Sequence, residues 1–125
     1  MDYLSKITSL QQKSVVSQER TFKKWINEKL KNRRPVLEVV NLFEDLKDGK
    51  ILLALLEVLS HKILPSEPIS GVVTRIHSMN NVDKVFQHLS AQPNIKLYGT
   101  TIEGVLDGKP SQILGVIWKI IQGSL

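Results

Sequence analysis

The sequence predicts an all-α fold, with four main helices and two or three short ones around a buried central helix. Three observations predict it. Ile51 to Leu59 is apolar at every position except Glu57, and a helix that is apolar all round has to be wrapped by others. Three further stretches repeat apolar residues at the helical period of 3.6. The one hint of strand alternation, Ile95 and Leu97, covers too few positions to count.

Residues 1–13 set Leu4, Ile7 and Leu10 among polar residues. They read either as an extension of the first helix or as a loose arm. Residues 14–122 read as the domain and 123–125 as its C-terminal end. From about Ser14 to Asn32, Val15, Phe22, Trp25, Ile26 and Leu30 fall on one side of a helix. Arg20, Lys24, Asn27 and Lys31 fall on the opposite side, with Lys23 on its flank. Lys29 lies in the apolar sector, where its stem would snorkel. Pro35 is expected to end the helix, since the residue before a proline is pushed out of the helical region.

Asn41 to Lys47 reads as one or two turns with Leu42, Phe43 and Leu46 as apolar contacts. Asp48 stands where the N-cap of the central helix belongs, ready to accept from the N–H of Lys50 or Ile51. Gly49 lets the backbone pass closely there. Pro65, Pro68 and Gly71 mark a surface loop. Ile76, Met79, Val82, Val85, Phe86 and Leu89 outline a helix from about His77 to Ala91, stopped by Pro93. Thr100-Thr101-Ile102-Glu103 has the capping-box pattern for a short helix through Leu106. Pro110 suits the first position of a last helix. That helix would bury Ile113, Leu114, Ile117, Trp118, Ile120 and Ile121 and show a polar stripe of Gln112, Gly115, Lys119 and Gln122.

Catalytic and metal signals are weak. A chain of 125 residues is one domain. It has no cysteine, which excludes disulfides, thiolate metal sites and thiolate nucleophiles, and fits a reducing compartment. The first twenty residues lack a signal-peptide core, and no apolar run reaches the roughly 18–20 residues that span a bilayer. His77 and His88 share a helix about 16 Å apart along its axis, too far for one metal. Gly104 to Lys109 has three residues between its glycines where a phosphate loop has four, and Pro110 follows the lysine. Glu44, Asp45 and Asp48 lack calcium-loop spacing. The chain is therefore expected to be no enzyme and to need no metal or cofactor.

Charge is the stronger signal. Residues 1–34 hold nine Lys/Arg against three acids, a net of +6, while the remainder is at −1. A basic N-terminal helix suggests an acidic partner. A helix–turn–helix reader would carry its polar base-reading residues on a second helix. Here the basic helix comes first and an apolar region follows, so nucleic acid is not expected. A weak contact with anionic lipid is a secondary expectation.

Four blocks then carry a family resemblance: Arg20 to Asn27 (RTFKKWIN), LFEDLKDGKILLALLEVLS from Leu42, RIHSMNNVDKVFQHL from Arg75, and DGKPSQILGVIWKII from Asp107. Together they cover about residues 14–122. In combination they resemble the calponin-homology domain, specifically the first of the tandem pair in spectrin-type actin-binding regions (spectrin, dystrophin, α-actinin, plakin, nesprin). The resemblance implies the calponin-homology fold and an F-actin-binding role in a cytoplasmic, cytoskeletal crosslinker or linker.

It implies actin-binding segments at about Val16 to Leu30 and about Ser111 to Leu125. The implied contact residues are Arg20, Lys23, Lys24, Asn27 and Lys31, then Gln112, Lys119 and Gln122. A third family segment belongs to a second calponin-homology domain. The chain ends before one, so it reads as part of a longer crosslinker or as an unusually short protein. Glu19 departs from a common basic residue and Lys23 from a common threonine. Gly71 to Thr74 is less basic than usual, and Lys119 and Gln122 stand where Thr and Leu are common. These departures bear on affinity more than on fold. The alternative implied reading is a calponin-homology scaffold without actin affinity, or a microtubule-binding module, since tubulin is also acidic.

Overall fold

In the computed structural model, which describes residues 14–124, six consecutive residues from Ile51 to Leu56 are buried. They belong to α3 (Lys50–Ser60), and a helix with no free side needs neighbours all round. It has them in α1 (Val15–Leu30), α4 (Arg75–Ser90) and α6 (Pro110–Ser124). Two short helices, α2 (Leu42–Asp45) and α5 (Ile102–Leu106), complete the set, and no strand occurs among the described residues. The expected arm at 1–13 lies outside the described residues. Helix α6 runs two residues past the expected domain limit of 122.

The lone polar residue of the central run has a structural task. Both carboxylate oxygens of Glu57 are engaged: Arg33 Nη2 donates to one at 3.2 Å, and the Leu64 N–H donates to the other at 2.7 Å. One side chain thus ties the segment after α1 and the loop after α3 to the same point. Beyond it the helix emerges, and Val58 and Leu59 are only half-buried.

The entry to α3 differs from the expected cap. Gly49, not Asp48, is the N-cap residue. Asp48 still accepts from the Lys50 N–H at 2.9 Å, one position further out than an N-cap. The displacement follows from Gly49's backbone, which is left-handed at φ +80° and so favours glycine. A side-chain carbon at Gly49 would also fall 2.7 Å from Asn81 Cβ. Asn81 is fully buried on α4. Its Nδ2 donates to the carbonyls of Asp48 (3.0 Å) and Glu67 (2.8 Å), and its Oδ1 accepts from the Glu67 N–H (2.7 Å). This one amide joins the start of α3, the long loop and α4.

Other boundaries shift for local reasons. Helix α1 stops at Leu30, four residues short of the residue before Pro35, and the Arg33 N–H closes a tight turn on the Leu30 carbonyl. At α5 the cap is Thr101, accepting from the Gly104 N–H at 3.0 Å. Glu103 therefore sits one place too early to complete the expected capping box. A capping box forms instead at α4, between Thr74 and His77. Val15, Ile76 and Met79, expected on core faces, are exposed. Val15 and Ile76 lie in the first turn of their helices and Met79 at the start of the second.

Candidate functional site

The basic side of α1 is built by its opposite face. Phe22, Ile26 and Leu30 are buried, and Phe22 meets Trp118 of α6 edge-to-face with centroids 5.8 Å apart. That contact fixes how α1 is rotated. Opposite it, at 100° per residue, stand Thr21, Lys24 and Glu28, with Arg20 and Lys31 beside them. All five are exposed.

Asn27 does not lie at the centre of this face. It turns toward the segment after α1, donating to the Val39 carbonyl at 3.0 Å and accepting the Val39 N–H at 2.7 Å. Lys23 leans the same way, its Nζ 3.4 Å from the Val40 carbonyl. Segment 35–41 is thereby stitched along α1, helped by Asp45, which accepts from the N–H groups of Val40 and Asn41 at 2.8 and 2.9 Å.

The charges on the exposed face are not equal. Lys31 pairs with Glu28 at 2.6 Å. That hydrogen bond, and then the Lys31 charge, hold the Glu28 carboxyl below its ordinary 4.5. The spacing of three could have revealed this pair from sequence, and it removes much of Lys31's free charge. Lys29 stands exposed, with its ammonium 5.8 Å from the centre of the Trp25 ring, a cation–π arrangement. Among the described residues, Arg20 and Lys24 have neither hydrogen-bond nor ion-pair partner.

The stripe expected on α6 divides in two. Gln112 turns inward: its Oε1 accepts the Thr101 N–H at 2.7 Å and its Nε2 donates to the Gly99 carbonyl at 2.8 Å. Gly115 faces Thr100, whose methyl would sit 2.9 Å from an added side-chain carbon. The start of α6 is therefore covered by segment 99–101. Lys119 is half-buried and Gln122 exposed, and no hydrogen bond or ion pair links either to α1 among the described residues. Nor, among those residues, are three His, Cys, Asp or Glu side chains placed to hold a metal.

Comparison with known proteins sets this geometry in a family. The calponin homology (CH) domain matches residues 16–124. The chain is 44% identical over 116 residues to human calmin. It is 40% identical over 117 residues to the mouse erythrocytic spectrin beta chain, and 43% identical over 105 residues to rat utrophin. These alignments cover 93%, 94% and 83% of the chain but only 11%, 5% and 3% of those proteins, so the chain corresponds to a small part of each relative. By this match and these identities, the chain belongs to the calponin homology domain family.

Proposed function

We propose that the chain is an actin-filament-binding module of a cytoplasmic, cytoskeletal linker or crosslinker, acting by binding and not by catalysis. The single observation that carries the reading is the exposed face of α1. Arg20 and Lys24 stand there without intramolecular partners among the described residues, where their charges are free for an acidic surface. Lys23 and Lys31 add to the field from positions already engaged by the Val40 carbonyl and by Glu28. Lys119 and Gln122 near the end of α6 supply a second contact. Asn27 and Gln112 serve the interface indirectly, by holding segments 35–41 and 99–101 in place. A second calponin-homology domain in the parent protein would add linked contacts and so raise effective affinity.

High-speed co-sedimentation tests this reading. The chain should pellet with F-actin, weakly, and less as salt rises toward physiological strength, because exposed charges are screened beyond roughly 8–10 Å. It should not pellet with microtubules under the same conditions. Pelleting with microtubules but not F-actin would replace this reading with the microtubule one.

A further inference from the structure

A second exposed feature lies away from α1, on the loop leading into α4. The inner side of this loop is tightly held. Lys84 Nζ donates to the Pro65 carbonyl at 2.9 Å, Lys50 Nζ to the Pro68 carbonyl at 3.2 Å, and Asn81 brackets Glu67. Past this anchor the chain bulges outward until Thr74 caps α4. Gly71 sits on the bulge at φ +92°, and a side-chain carbon there would meet no atom within 4 Å.

The bulge is apolar. Ile69 is 100% exposed, Val72 84% and Ile76 68%, with Val73 and Met79 alongside. Ile76 and Met79 are three apart on α4, so they share one side of the helix. Soluble domains seldom expose a contiguous aliphatic group of this kind without a use. Between Pro68 and Met79 the only formal charge is Arg75, and there is no Asp or Glu. Arg75 is exposed.

We propose that this bulge, Ile69 to Met79, is a peripheral docking site for an anionic lipid bilayer. Its aliphatic side chains would enter the headgroup–acyl boundary while Arg75 meets lipid phosphates. Two observations favour a bilayer over a folded protein partner. The side chains of Ile69 and Val72 are almost wholly exposed, so a soft surface can surround them where a rigid one would touch only their tips. The segment also carries a cation and no carboxylate to repel an anionic surface. Among the described residues no helix is long and apolar enough to cross a membrane, so the contact is a surface one. It is independent of the actin reading, which rests on another element.

Vesicle sedimentation separates the possibilities, using phosphatidylcholine vesicles with and without about 30% phosphatidylserine. The chain should bind the anionic vesicles. The double variant Val72→Asp/Ile76→Asp should lower the partition coefficient roughly ten-fold or more, with melting temperature and F-actin pelleting unchanged. Arg20→Glu/Lys24→Glu should keep most vesicle binding. Absence of binding to anionic vesicles would overturn the proposal and leave a protein as the occupant. Loss with Arg20→Glu/Lys24→Glu but not with Val72→Asp/Ile76→Asp would also overturn it, by placing lipid on α1.

Discussion

Asn81 concentrates more of the fold's specificity than any other single polar residue described. Its amide makes three hydrogen bonds to backbone groups that have few alternatives. Asn81→Ala would strip these groups of their partner in a buried place, at a cost of about 3 kcal/mol, readable in urea unfolding. Gly49→Ala should cost a similar amount, since it adds a left-handed strain to a clash with Asn81 itself. His88 gives a residue-scale test in pH. Burial first, and then the Lys62 charge, hold its imidazole below the ordinary 6.5. The unfolded chain therefore takes up the proton first. The contribution of His88 is complete above its unfolded pKa and fades as pH falls through 6.5 toward the lower folded value. Melting temperature should drop between about pH 7.5 and about pH 5.5, and drop less in His88→Gln. Glu28 does not interfere, because its carboxyl titrates below 4.5.

At the scale of elements, α3 is the member on which the others depend. Leu55 is fully buried at its middle, so Leu55→Ala should cost about 2–5 kcal/mol through lost burial and a cavity. Asp48→Ala removes one bond at the helix entry and should cost about 1 kcal/mol. Thermal unfolding of the two variants should rank them in that order. The same element shows what could be read in advance. An uninterrupted apolar run has no side to offer water, so the burial of α3 and the all-helical class were legible from the residues alone. The rotation of α1 was not. A helical wheel places Asn27 among Arg20, Lys24 and Lys31, but it cannot see segment 35–41, which lies against that flank. Gln112 was hidden in the same way by segment 99–101. Nothing in the local pattern singles out Asn81, because its partners lie 14 and 33 residues away in sequence. Ile76 and Met79 kept a core-like period while the structure left their turns uncovered.

The whole molecule separates what holds it together from what it presents. Its core is continuous from Phe22 on α1 through α3 to Trp118 on α6, while Arg20 and Lys24 of α1 lie outside it. Stability and binding should therefore be separable by mutation. Exposed positions remote from caps and core seldom change stability by more than about half a kcal/mol. The most direct measurement is F-actin co-sedimentation of Arg20→Glu/Lys24→Glu at low salt, with its melting temperature recorded beside the unaltered chain. If the α1 face binds the filament, the bound fraction falls at least about five-fold at an unchanged melting temperature. Sedimentation at the level of the unaltered chain would contradict that assignment.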